Sequence, residues 1–530
     1  MPALKWQVNG RCGQEKVSLH GEAEAQNQLH VLCDLPADTV LGDVRAELPI
    51  AMKDSERVFL NGYQTWTYCP EYTKQDRIRG MHGIPQFMIN KFAFDRYSDY
   101  HFVPYPDQKG LLHGVSWCCF RDGETYRLIA SLDEDPGYTL FLYDANRGIL
   151  HLKRDCDGVK AQGGFHALDL FFAEGGEQEV YDAWFAAMGI HPLTAKKLYG
   201  YSSWYNRYQN ITEAAILQDL KGCQTIFEPG DLFQIDDGWE PFVGDWLEPD
   251  PKKFPDGMKA AADAIHKAGF QAGLWLAPFV AEEKSALYRE HPGWFLKING
   301  KPWKDGCNWS GFYSLDLDHP EVTAYLKKVF ARVYDEWGFD LVKLDFLYGA
   351  APFGNEQESR ARRMRRAMEF LRKLSGNHPI LGCGVPVMPA FGLVEYCRIS
   401  CDVSLDWDDR LPMRFLHRER NSTKHAIGNM LSRRALNGRA YLSDPDVFFL
   451  RTENCRLTKE QKMMLAKTGA LLGDVWLTSD DPSSYTEEMK QEYHALRRLT
   501  NAQNIHASQE NGHWVIHYTL DGSPEEFRLQ

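Results

Sequence analysis

No apolar run in this 530-residue chain approaches the roughly 18 residues that a membrane-crossing helix needs. The opening MPALKWQVNG places no apolar stretch behind a basic start, so no secretory leader is expected. A basic excess is also missing. Lys and Arg total 60 against 73 Asp and Glu, a formal net charge of −13, which disfavours binding along a phosphate backbone. The 12 cysteines, from Cys12 to Cys455, include no CxxC pair and no metal-type Cys/His spacing. A chain this long needs no covalent staples, so reduced thiols and a cytoplasmic location are expected. The adjacent Cys118 and Cys119 read as packing residues. Internal repeats and low-complexity tracts are absent too.

What is present is the composition of an ordinary globular chain: 44% hydrophobic, 25% charged and 13% aromatic, with 15 Trp, 24 Tyr and 29 Phe. Its length predicts two to four domains. Residues 1–190 alternate short apolar runs with turn chemistry, as in VSWCCF-RDGE-TYRLIASL, where Asp122-Gly123 supplies a hairpin turn. They predict an antiparallel β-sandwich. After residue 197, short apolar runs alternate with amphipathic helices such as ITEAAILQDLKG, GMKAAADAIHKAG, VTAYLKKVFARVYDEWG and TKEQKMMLAKTGALLG. Eight candidate strands stand between them: LYGYSSWYN (198–206), LFQIDDGWE (232–240), FQAGLWLAPF (270–279), FDLVKLDFL (339–347), ILGCGVP (380–386), CRISCDV (397–403), RAYLSDPD (439–446) and GDVWLTSD (473–480). Eight parallel strands with crossover helices close a (β/α)₈ TIM barrel over residues 197–482. Residues 483–530 predict one helix and a small C-terminal β domain turning at Asp521-Gly522. The charge run RARRMRRAMEFLRK (360–373) reads as a helix with its cations in water, an oligomer contact being the alternative.

Functional side chains of such a barrel project from the C-terminal ends of its strands. There this sequence places carboxylates: Asp236 and Asp237, Asp345, Asp402, Asp444 and Asp446. In LVKLDF, period-two alternation sets Lys343 beside Asp345, and a neighbouring cation favours the ionised carboxylate that a nucleophile needs. The same alternation aligns Arg398, Ser400 and Asp402. An ionised acid and a protonated acid on nearby strands are the equipment for glycosidic bond cleavage, although nothing in the sequence says what keeps Asp402 protonated. Asp236 and Asp237 lack a His at ligand spacing, which favours hydroxyl recognition over metal binding. Trp204, Trp275 and Trp246 each either pack in the core or offer a flat face to a sugar ring.

Taken in order, SSWYN, FQIDDGWE, GDW, GLWLAPF, VKLDFL, LGCGVP, RISCD and LSDPD resemble the α-galactosidases of glycoside hydrolase family 36. FLNGYQTWT, around Trp66, resembles the segment by which that family's N-terminal sandwich reaches the active site. The resemblance implies a retaining, exo-acting α-galactosidase that removes terminal galactose from oligosaccharides such as raffinose and melibiose by double displacement. Asp345 matches the nucleophile and Asp402 the acid/base. The resemblance further implies that Asp236 and Asp237 hold the galactose 4- and 6-hydroxyls and that Lys343 and Arg398 contact hydroxyls near the nucleophile. Trp204 and Trp275 shape the pocket, Cys383 lies by the 2-hydroxyl, and Trp66 enters from the sandwich. Where the family often has proline or serine before the acid and threonine after it, this chain has Cys401 and Val403, which bears on aglycone preference. No cofactor or metal is implied; the expected partner is an α-galactoside, with an oligomer possible and neither nucleic acid nor membrane involved.

Rival readings are α-N-acetylgalactosaminidase and α-galactosyl transfer on the same scaffold, the galactose choice resting on Cys383. More distant are a Schiff-base lyase using Lys343 and an inert sugar-binding protein. The acidic turns DPDVFF and TSDDPS argue against the phosphate sites usual in aldolase-type barrels.

Overall fold

The structure, a computed structural model, describes residues 3–24, 26–161, 163–408 and 417–529. Two antiparallel sheets form the N-terminal region. One runs in the order Glu15–Ala23, Leu4–Cys12, Thr39–Pro49, Ile149–Asp155, Tyr138–Asp144, Leu111–Val115, and the other Gln28–Asp34, Gly164–Gly175, Thr125–Ser131, Trp117–Asp122, Arg57–Leu60, Glu71–Tyr72. Alternation drives the layering. Along Gln28–Asp34 the even-numbered residues face solvent while Leu29, Val31 and Cys33 are buried. The first hairpin turns one residue later than its sequence suggests, because Asp122 pairs with Thr125 and the loop is Gly123-Glu124. At the C-terminus Leu520 pairs with Ser523, and Asp521 and Gly522 both take the positive φ that a two-residue turn requires.

The barrel strands are β1 (Leu198–Ser202), β2 (Leu232–Ile235), β3 (Gln271–Leu276), β4 (Leu341–Leu344), β5 (Ile380–Gly382), β6 (Tyr396–Arg398), β7 (Leu442–Asp444) and β8 (Val475–Thr478). All pair in parallel, in the order β7-β6-β5-β4-β3-β2-β1-β8. Closure comes from the segment after β7: Leu442–Asp444 pairs with β6, and Val447–Phe448 pairs with β8. Every expected strand run carries one of these strands, each nearly continuous in buried residues, as a sheet covered on both faces requires. One crossover departs from the expected pattern. Between β5 and β6 the chain makes only the 3₁₀ turn Met388–Ala390.

Helix Arg360–Ser375 corrects the reading of its cations. Met364, Met368 and Leu371 face the core as their spacing predicts, but Arg360 and Arg363 are buried as well, paired with Asp155 at 3.0 Å and Asp318 at 3.0 Å. Arg372 clamps Glu395 through two contacts of 2.8 Å. Its cations therefore fasten neighbouring segments, Asp155 of the sandwich among them. Trp117 and Trp184 of the N-terminal region pack against Phe391 after β5, which joins the sandwich core to the barrel core. The last helix, Glu487–Leu499, leans on helix Lys459–Leu472 ahead of the antiparallel strands Gln503–Glu510, His513–Leu520 and Ser523–Arg528. All twelve cysteines are unpaired. No helix among the described residues is long and apolar enough to cross a membrane.

Candidate active site

A cavity of about 530 Å³ opens at the C-terminal ends of the strands, lined by Trp66, Trp204, Asp236, Asp237, Trp275, Lys343, Asp345 and Asp402. Eight of the ten side chains expected from the sequence thus line this one cavity. Arg398 and Cys383 are buried and are not among the residues lining it.

Asp345 follows β4. Its carboxylate accepts the indole N–H of Trp275 (3.1 Å) and the backbone N–H of Phe346 (2.9 Å). Phe346 holds φ +52°, a conformation costly for a bulky side chain, and one in which its N–H is turned onto the acid beside it. The cation expected beside Asp345 is engaged elsewhere: Lys343 donates to Asp236 at 2.8 Å. That ion pair bridges β2 and β4, and the Asp236 carboxylate beside Lys343 pushes its ammonium pKa up against burial. Asp236 also accepts from Gln234 (2.7 Å) and Ser202 (3.3 Å).

Asp402 lies just beyond β6 with 32% of its side chain exposed into the cavity. Burial of the rest pushes its pKa up to about 7, and the Asp446 carboxylate adds to the rise while Arg398 opposes it. Arg398 explains the arrangement. Its guanidinium touches Asp402 (3.0 Å), Asp444 (3.1 Å) and Asp446 (2.9 Å), so one cation serves three acids and the crowding of carboxylates favours a proton on Asp402. Asp446, at φ +75°, is fixed by the Tyr205 hydroxyl (2.7 Å) and the Val403 N–H (2.8 Å). This supplies what alternation along β6 could not reveal, namely the cause of a protonated Asp402.

At the other end of the cavity Asp237 accepts the indole N–H of Trp309 (2.9 Å) and the amide of Gln209 (3.0 Å). The carboxyl of Glu240, itself buried and accepting the Gly238 N–H at 3.2 Å, neighbours Asp237. Burial pushes the pKa of both acids up, Glu240 the further, so the two share one proton. Glu240, Gln209 and Trp309 escaped the sequence reading. Glu240 stands in the FQIDDGWE run, but its role depends on a tight turn at Gly238, and Trp309 arrives from a hairpin far along the chain.

Trp66 reaches the barrel as a bracing residue. Its indole N–H points to Cys383 Sγ at 3.2 Å, and its ring meets Phe346 edge-on at 5.0 Å. The fully buried Arg433 secures that segment by donating to the carbonyls of Gly62, Gln64 and Thr65, to Asn61 and to Ile399. Cys383 therefore faces Trp66. Trp246 is wholly buried behind Trp275, with ring centroids 5.9 Å apart, which resolves it as core. Among the described residues no group of His, Cys, Asp and Glu is placed to hold a metal ion. Phe94, Tyr97, Asn308, His417, Glu419, Arg420 and Asn421 complete the wall toward the mouth.

A (β/α)₈ barrel whose strand ends gather one proton-holding acid, one hydrogen-bonded acid and a carboxylate pair among tryptophans defines a glycoside hydrolase. Residues 203–375 match the family model described as Melibiase. The fold superposes on TtGalA, an α-galactosidase from Thermus thermophilus solved with p-nitrophenyl α-D-galactopyranoside, with TM-score 0.75, 26% identity and 98% coverage of both chains. Among curated proteins, "Alpha-galactosidase AgaA" of Geobacillus stearothermophilus is 25% identical over 193 residues, 34% of this chain and 26% of the relative. "Alpha-galactosidase" of Escherichia coli is 30% identical over 183 residues, 32% and 25% respectively. The matched segments span about a quarter of these relatives' length. The likeness to the melibiase family rests on residues 203–375, about a third of this chain.

Proposed function

We propose that the protein is a retaining, exo-acting α-galactosidase releasing terminal galactose by double displacement. The observation that carries this is Asp345 and Asp402 lining one cavity, Asp345 held by two N–H donors and Asp402 kept protonated by burial and by the acids around Arg398. Asp345 attacks the anomeric carbon as Asp402 passes its proton to the leaving oxygen, forming a glycosyl ester. Asp402, now a carboxylate, then takes a proton from water, whose oxygen displaces Asp345 and restores the α configuration. Retention calls for carboxyl groups about 5 to 5.5 Å apart. Asp236 and Asp237, oriented by Lys343 and Glu240, accept hydroxyls of the galactosyl unit. A reducing compartment suits the unpaired thiols.

Cys383 lies behind Trp66, so preference for galactose over N-acetylgalactosamine rests on the whole pocket rather than on that thiol. The test offers aryl α-galactoside, aryl α-N-acetylgalactosaminide and aryl α-glucoside, and follows the first-released anomer by proton NMR. Turnover of the galactoside with α-galactose appearing first is expected. β-Galactose first, or no galactoside turnover, refutes the proposal.

A further inference from the structure

A second cavity, of about 290 Å³, adjoins the first and shares His417 and Arg420 with it. Its remaining lining includes Arg77, Arg79, His82, Arg418 and His425, with Asp107 the one lining carboxylate among the described residues. Three of its guanidinium groups have carboxylate partners: Arg77 with Asp107 (3.3 Å), Arg418 with Asp99 (3.4 Å) and Arg420 with Asp408 (3.0 Å). Among the described residues Arg79 pairs with no carboxylate. Among the described residues Arg418 Nε and His425 Nδ1, on residues only 8% and 9% exposed, are buried without a hydrogen-bond partner. The Tyr68 ring stacks flat on His425 at 3.8 Å and gives the cavity one apolar side. The segment carrying Arg418, Arg420 and His425 is tied to the acid/base, because the Ser422 N–H donates to the Asp402 carbonyl at 3.0 Å.

We propose that this cavity receives the far end of the leaving group and that the leaving group carries an oxyanion, a phosphate or a carboxylate. The inference rests on the α-galactosidase reading. With galactose held at Asp236 and Asp237 and its anomeric carbon between Asp345 and Asp402, the leaving group extends toward the mouth, past His417 and Arg420. There it meets buried donors that have no acceptor and one cation that has no counter-ion among the described residues, the pattern that an anionic acceptor completes.

The experiment compares melibiitol, melibionate and melibiose 1-phosphate, three leaving groups differing in charge, in the wild-type protein and in Arg79→Gln, with p-nitrophenyl α-galactoside as neutral control. Isothermal titration with inorganic phosphate supplies a readout independent of turnover. The expected result is at least a tenfold higher kcat/KM for the two anionic substrates at low salt, an advantage that shrinks as salt rises. R79Q is expected to cut that advantage at least threefold, leave the aryl galactoside unchanged and weaken phosphate binding. Equal rates on melibiitol and the anions, equal loss on all substrates in R79Q, or no phosphate binding overturns the inference while leaving the galactosidase reading intact. Failure to hydrolyse any α-galactoside refutes that reading instead, and phosphate titration still decides whether the cavity binds an oxyanion.

Discussion

Replacing Asp446 with Asn tests the origin of the proton on Asp402. Asparagine keeps an oxygen for the Tyr205 hydroxyl and the Val403 N–H but removes one of the two carboxylates that Arg398 holds beside Asp402. Both acids lie within 3.0 Å of the guanidinium. Taking them as about 5 Å apart, an effective dielectric of about 20 gives roughly 3 kcal/mol of repulsion. Asp402 is 32% exposed, so solvent screening cuts this to about 1.4 kcal/mol, or one pH unit. Freed of one anion, Arg398 also attracts the Asp402 carboxylate more strongly, which acts in the same direction. In the proposed mechanism the acid form of Asp402 is the active one, so kcat/KM is expected to fall as pH rises through its pKa of about 7. In D446N that alkaline limb moves to about 6, and activity above pH 8 drops about tenfold while the acidic plateau holds. The assay is kcat/KM on aryl α-galactoside from pH 4 to 9, with circular dichroism confirming the fold. An alkaline limb that stays in place at unchanged plateau activity refutes the charge argument.

Asp345→Ala is expected to lose turnover by on the order of 10⁴-fold, and added azide, occupying the vacated space, should yield β-galactosyl azide by NMR; rescue with the α product counts against Asp345. Glu240→Gln preserves a donor for Asp237 and should hold KM within a few-fold, whereas Glu240→Ala leaves a buried oxygen unpaired at about 1–3 kcal/mol and should raise KM by roughly 5- to 100-fold. Equal KM values in the two variants dismiss the shared proton. Arg433→Ala strips five acceptors of a buried donor and should lower unfolding free energy by about 3 kcal/mol or more in a denaturant titration, and unchanged stability means the Trp66 segment is anchored by other contacts.

All eight barrel strands and most of their helices were legible in the sequence, because burial on both faces makes each strand a short continuous apolar run, and the polar residue ending each run marks its functional end. Asp345 and Asp402 were found that way. Partnerships were not. Lys343 and Asp345 share a strand face, yet the ammonium bonds to Asp236, 107 positions away, since adjacency on a strand competes with whatever the neighbouring strand presents. Arg398 likewise is engaged by three acids. Glu240 and Trp309 gain their roles from turns whose course no periodicity encodes. Arginines on helix Arg360–Ser375 were misread for the same reason, as a cationic face is exposed only if no acid packs against it.

The cavity lining is of mixed ancestry in the chain: Trp66, Phe94 and Tyr97 precede the barrel, while Asp345 and Asp402 belong to it. Drift in those early loops can therefore retune which leaving groups are admitted without disturbing the catalytic strands. It follows that diversification of this scaffold is best sought by recombining N-terminal halves onto a constant barrel, with Arg433 and its acceptors kept as the graft point.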